Sequence, residues 1–303
     1  MCLEPLPVID AHVEIPEDDE DRVLFHQIMG PTARTAYHLT MTEPDADAPH
    51  TCGILETKAG GIGYVSSSES IPECGQCDGP MSLVAQVNLA QMPEEVQETL
   101  KLGEEGLIQV YMCYNDNGEC ESWECFSSAH EVRFVPPEEL YSARSRSEVE
   151  AIYRELRPKD TPASTSDSDS GGYWRDDEGT PFRESPITRL VRHTRDYPKC
   201  EEFDEAIDQH PEIDDATRDK LQDISWDNDI PGASNMYIGG WFNWCQGEAY
   251  CCCPECEETM NGTVLTIETI DTEIGCAFGD GGTAQVCQCP NHPLVMTMMW
   301  TGC

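Results

Sequence analysis

Apolar and polar positions alternate in short runs along most of the chain, and turn-forming residues separate the runs. Leu83-Val84-Ala85-Gln86-Val87 and Leu107-Ile108-Gln109-Val110-Tyr111-Met112 have the length and composition of strands. Residues 1–60 read as short strands and turns around an acidic loop at residues 17–21. Residues 147–156 read as a short helix, with Ser147 as N-cap and Glu150 completing a capping box. Residues 164–172 offer no apolar side chain to bury and read as the centre of an exposed linker. Residues 185–224 carry helical spacing: Ile187, Leu190 and Val191 share one face, as do Phe203, Ile207, Leu221 and Ile224. From Asn235 the strand-and-turn texture returns.

The two strand-rich stretches repeat one another. The first runs Lys58-Ala59-Gly60-Gly61, Cys74-Gly75-Gln76-Cys77, Met81, an apolar run to Val87, Gly106, then Gln109-Val110 and Cys113. The second runs Tyr237-Ile238-Gly239-Gly240, Cys253-Pro254-Glu255-Cys256, Met260, Val264-Leu265-Thr266-Ile267, Gly282, then Gln285-Val286 and Cys289. Six features in one order imply a duplicated unit. The expected fold is α+β and mainly β, with two internally repeated sheet-containing halves, a helical middle segment and zinc-ribbon-like knuckles. Its expected divisions are an N-terminal half at 1–157, an acidic Ser/Gly-rich linker at 158–184, and a helical segment with the C-terminal half at 185–303.

A Cys-x-x-Cys turn presents two sulfurs to one ion, and two ligands from a neighbouring strand complete a tetrahedron. The second half offers Cys253, Cys256, Cys289 and His292. The first offers Cys74, Cys77, Cys113 and, as fourth ligand, Cys120, with Cys125 and Asp116 as alternatives. Two zinc ions held by four protein ligands each are therefore expected. The competing reading is a set of reduced cysteines packed as small hydrophobes. Cys251 and Cys252 adjoin Cys253, so the second pair can shift in register.

Thr57-Lys58-Ala59-Gly60-Gly61, the strand from Met81 to Leu89, Gly239-Gly240-Trp241 with Trp244 and Gln246, and Gly279-Asp280-Gly281-Gly282 resemble the YwqG-like family, largely of unknown function. That resemblance implies an α+β fold with a duplicated core. Cys74, Cys77, Met81, Cys113 and Cys120 resemble the cysteine-bearing modules of the programmed cell death protein 2 family, which implies metal binding and an association with chaperoning a newly made ribosomal protein.

Composition changes the picture at one point. Asp and Glu number 58 against 18 Lys and Arg, a formal net charge of -40. Such a surface repels itself at low salt, whereas near 1 M salt the Debye length falls to about 3 Å and the repulsion fades. Acid spread along the whole chain points to a halophilic host. The absence of clustered Lys and Arg argues against nucleic-acid binding. No apolar run is long enough to span a membrane, and no signal-peptide pattern opens the sequence, so a cytoplasmic protein is expected. Asp10-Ala11-His12 lacks downstream partners, His130-Glu131 lacks a second histidine, and no nucleophile elbow, P-loop or dinucleotide fingerprint is present. Trp241, Trp244, Tyr250 and Trp300 read as core aromatics before they read as a groove. The function expected is a non-enzymatic binding or chaperone-like module, with a basic protein as a possible client. The alternatives are a metal- or cysteine-dependent enzyme and a structural or assembly component.

Overall fold

A computed structural model of the chain describes residues 3–11, 19–42, 52–114, 120–156, 182–226, 234–269 and 274–302. The first half contributes β3 (Lys58–Ala59), β4 (Ser82–Asn88), β5 (Leu107–Met112) and β6 (His130–Val135). The second contributes β8 (Met236–Gly239), β9 (Gly262–Glu268), β10 (Thr283–Gln288) and β11 (Met296–Thr301). Between the two sets lie β2 (Arg34–Met41) and β7 (Ser185–Asp196). The sheet order is β11-β10-β9-β8-β2-β7-β3-β4-β5-β6, and β1 (Val8–Asp10) lies parallel beside β7. Read outward from the β2–β7 pair, the order is the same in both directions, so the sequence repeat is a structural one. The fold is α+β and mainly β.

The repeat extends to single hydrogen bonds. The strand ending at Ala59 turns through Gly60 and Gly61 (φ +62° and +70°), and β8 turns through Gly239 and Gly240 (φ +73° and +69°). A Cβ on Gly60 would stand 2.0 Å from the Arg183 carbonyl oxygen, so the turn requires glycine for space as well as for its dihedrals. Gln109 Nε2 donates to the Tyr64 carbonyl (2.9 Å), and Gln285 Nε2 donates to the Asn243 carbonyl (2.7 Å). Each glutamine thus holds the segment that leaves its Gly-Gly turn. Both are fully buried, where an unpaired amide is costly.

Apolar residues from both halves form one core, including Val84, Val87, Ile108, Val110, Leu265, Ile267, Ala284 and Val286. β4 and β5 are buried along their whole length, which is why they read as near-continuous apolar runs. A second cluster joins α1 (Glu20–Met29), α4 (Cys200–Ile207) and α5 (Asp215–Trp226) through Phe25, Met29, Phe203, Ile207 and Leu221. Two further helices are α2 (Glu94–Leu100) and α3 (Arg146–Leu156).

Several local expectations change. Residues 185–196 are a twelve-residue strand, not a helix. The spacing of Ile187, Leu190 and Val191 imitates a helical face, but register shifts along the β2–β7 pair break strict alternation, and the β-branched Thr188, Val191 and Thr194 favour extension. The acidic stretch before Arg22 starts helix α1: Asp19 caps it, accepting from Arg22 N at 3.0 Å, and Glu20 and Asp21 sit in its first turn. The capping box of α3 is made two residues earlier than expected. Ser145 N donates to Glu148 (2.7 Å) and Glu148 N donates to Ser145 Oγ (3.4 Å). The linker at 158–184 lies outside the described residues up to 181, and so does His12.

The outermost strands β6 and β11 approach each other and nearly close the sheet. His130 on β6 is the link: its Nδ1 donates to the Ser122 carbonyl (3.1 Å) and its Nε2 accepts from Thr297 Oγ1 on β11 (3.0 Å). Burial lowers the His130 pKa to about 4. Its folded pKa therefore lies below the unfolded value near 6.5, so its contribution is complete above 6.5 and is lost as pH falls towards 4. His193, lowered to about 4 chiefly by burial, behaves likewise. Denaturant unfolding across pH 7 to 4.5 should show a shallower loss of stability in His130→Gln than in the wild type, by up to about 3 kcal/mol. Equal slopes would remove His130 from this role.

Candidate metal centres

Each half folds its Cys-x-x-Cys segment into a small knuckle. Cys74 N donates to the Gly79 carbonyl (2.8 Å) and Asp78 N to the Cys74 carbonyl (2.8 Å). In the second half Cys253 N donates to the Glu258 carbonyl (2.9 Å) and Glu257 N to the Cys253 carbonyl (2.8 Å). Asp78 and Glu257 occupy the same position with φ +57° and +64°. Behind each knuckle a methionine, Met81 or Met260, is buried at the start of the next strand region. Cys113 and Cys289 each follow directly on the last residue of β5 and β10, so the strand end carries a sulfur to the knuckle.

The structure brings Cys74, Cys77, Cys113 and Cys120 together, and separately Cys253, Cys256, Cys289 and His292. Within each set the ligand atoms all lie within 4.8 Å of one another, and each set can hold a metal ion. A tetrahedral ion with metal–sulfur bonds of about 2.3 Å places two sulfurs roughly 3.8 Å apart; with a metal–nitrogen bond of about 2.05 Å, sulfur and nitrogen stand roughly 3.6 Å apart. Cys77 and Cys113 Sγ are 3.6 Å apart, as are Cys256 and Cys289 Sγ. His292 Nδ1 lies 3.6 Å from Cys253 Sγ and 3.7 Å from Cys289 Sγ. The donors fit one ion at each set.

Backbone amides surround the sulfurs as well. Gln76 N and Glu255 N each donate to the first knuckle sulfur at 3.4 Å, and His292 N donates to Cys289 Sγ at 3.3 Å. An amide aimed at sulfur stabilises a thiolate, but at Cys289 burial prevails and raises the pKa. At Cys253 burial opposes ionisation, but the amides of Glu255 and Cys256, together with the Cys289 and Cys256 side chains, outweigh it and lower the pKa. At Cys120 burial pushes the thiol up to about 12, so without a cation beside it that sulfur keeps its proton at neutral pH.

The remaining candidates separate cleanly. Asp116 lies outside the described residues. Cys125 joins the other half instead: its Sγ is 3.8 Å from Met299 Sδ, and it neighbours Cys251, whose Sγ lies 3.2 Å from Cys287 Sγ. These sulfurs form a packed seam between the first-half loop and the second knuckle, a group that the sequence spacing did not reveal. Cys251 therefore does not replace Cys253, and Cys252 is exposed across the knuckle from Thr259. Cys276 is buried in the shared core, and burial pushes the Cys52 thiol up to about 12. Trp244 and Tyr250 are core aromatics whose polar tips both donate to Glu202. Trp300 packs edge-on against Trp123. Among the described residues no helix is long and apolar enough to cross a membrane.

Residues 57–288 match the model of a family described as a domain of unknown function, DUF1963. The match takes in both knuckles and stops one residue before Cys289. No curated protein matches the chain.

The two readings of the fourth ligand in the first half predict different metal counts. Native mass spectrometry of Cys120→Ser should show one ion fewer than wild type, and Cys125→Ser should keep the full number. The reverse pattern would exclude Cys120.

Proposed function

The chain belongs to the DUF1963 family, a domain of unknown function, and from its geometry we propose that it is a zinc-stabilised, non-enzymatic binding or chaperone-like protein. One observation carries the reading: four soft donors converge at equivalent places in both halves, four cysteines in the first and three cysteines with a histidine in the second. Soft sulfur with one imidazole selects zinc over hard cations, and four protein ligands leave no coordination position for a substrate or a reactive water. A metal of this kind ties loops to strands and leaves recognition to the rest of the surface.

The client class we propose is a basic protein. The net charge of -40 supports it, and so does the resemblance of the first knuckle to modules of the programmed cell death protein 2 family. The same charge suits a saline, halophilic interior, where long-range attraction is screened and a client must be held by short-range contacts.

Protein purified from molar salt should contain about two zinc ions per chain, and Cys77→Ser and Cys256→Ser should each lose one. Affinity capture at that salt should recover a basic protein with the wild type. Absence of metal would overturn the zinc reading, and repeated recovery of the chain alone would overturn the client reading.

A further inference from the structure

Beside the second metal set lie four more sulfur atoms in contact, those of Cys125, Cys251, Cys287 and Met299. Cys251 and Cys287 bring their Sγ atoms to 3.2 Å, closer than the 3.6 Å between Cys256 and Cys289. Cys125 reaches the Cys251 thiol from the first-half loop, and its Sγ stands 3.8 Å from Met299 Sδ. Cys251 therefore has two thiol neighbours.

The arrangement suits sulfur–sulfur bonding better than metal binding. An ion needs its donors gathered around one point, and among the described residues the two metal sets meet that condition. Here the contacts run pairwise, from Cys125 to Cys251 and from Cys251 to Cys287. Such a row can hold one S–S bond and pass it on, because a thiol displaces one sulfur of a neighbouring disulfide. With an S–S bond near 2.05 Å, Cys251 and Cys287 have about 1 Å left to close. The Cys287 S–H donates to the Thr297 carbonyl (3.6 Å), which leaves the lone pairs of that sulfur for Cys251.

Burial gives the row a direction. Cys287 is fully buried and Cys251 is buried, whereas Cys125 is only half-buried. A small oxidant from solvent meets Cys125 first. Cys251 and Cys287 each stand two residues before a metal-set cysteine, Cys253 and Cys289. A bond between them would tie the knuckle to β10, as the ion does, without using a sulfur of the metal set.

We propose that Cys125, Cys251 and Cys287 form a thiol relay oxidised by hydroperoxides, with Cys125 as the entry point and a Cys251–Cys287 disulfide as the product. The hydroperoxide O–O bond breaks as one oxygen passes to the Cys125 sulfur, giving a sulfenic acid, and the other oxygen leaves as alcohol or water. The Cys251 sulfur then displaces the sulfenic hydroxyl, which departs as water with the Cys251 proton, and a Cys125–Cys251 bond forms. The Cys287 sulfur attacks Cys251, that bond breaks, and Cys125 leaves as a thiol with the Cys287 proton. Two thiols give up two electrons and the peroxide takes them.

The test treats the metal-loaded full chain with one equivalent of hydrogen peroxide in molar KCl. Alkylation and mass spectrometry then count free thiols, and metal content is read alongside. Wild type should lose two thiols and keep its metal. Lys220 is the last basic residue, so Cys251 and Cys287 share the tryptic fragment 221–303, while Cys125 lies in 102–133. The wild-type disulfide should fall within 221–303. Cys287→Ser should instead trap the exchange intermediate, with 102–133 linked to 221–303. Cys125→Ser should slow the oxidation by roughly tenfold, since the remaining pair is buried. Thiol loss in step with metal release, no link between the fragments in Cys287→Ser, or wild-type oxidation rates in Cys125→Ser would each overturn the relay. A chain that purifies without metal would sink the zinc reading, and the position of the disulfide would still decide this one.

Discussion

The convergence of four soft donors at the tip of each half constrains everything built around it. Cys113 and Cys289 leave the ends of β5 and β10, where sheet hydrogen bonding stops, and each meets a knuckle that lies far earlier in the chain. Thiols can pack at such distances as small hydrophobes. An ion held there would turn the same atoms into bonds that fix the strand end, the knuckle and the following strand in one geometry. The loops around each tip can then be short of apolar residues without losing their shape.

The two tips are coupled through the middle of the sheet. β2 and β7 pair with each other and then with β8 and β3, so each half continues a shared central pair. The ends of β7 also receive both Gly-Gly turns. Glu184 accepts from Ile62 N at 3.3 Å, and Asp196 accepts from Trp241 N. The two carboxylates sit in different surroundings. At Glu184 burial is outweighed by Arg146 and by fully buried Lys58, which lower its pKa. At Asp196 burial dominates and raises it to about 6. The duplication is therefore symmetric in backbone and specialised in side chains. The Asp196 end also lies beside a cavity whose walls include Trp241 and Glu268.

Much of this was legible in the residues because the repeat carries its own alignment. Gly60-Gly61, Cys74, Met81 and Gln109 have counterparts that hold the same bonds, so order along the chain became position in space. The Cys-x-x-Cys pairs and the cysteines after β5 and β10 follow from spacing, whereas the fourth donor of the first half stayed open between Cys120, Cys125 and Asp116 until the fold brought Cys120 to the set. The strand β7 was not legible. Its apolar residues fall at helical intervals, and only pairing on both edges reveals an extended chain. Helix α1 was hidden for the opposite reason, because acidic residues that look like a loop are favourable at a helix N-terminus. The seam of Cys125, Cys251, Cys287 and Met299 joins residues far apart in sequence, and so does the cavity beside Asp196. No local pattern announces either one.

The central claim is that two closed zinc sites with different ligand sets hold equivalent knuckles. Zinc-edge X-ray absorption of the loaded chain reads those ligands directly. Four cysteines at one site, with three cysteines and one histidine at the other, give seven sulfurs and one nitrogen over two ions. The averaged zinc should therefore show a dominant sulfur shell near 2.3 Å and a minor nitrogen shell at about 2.0–2.1 Å. A first shell dominated by oxygen and nitrogen would contradict the account, because it would mean open or carboxylate-bound ions in place of two closed ones.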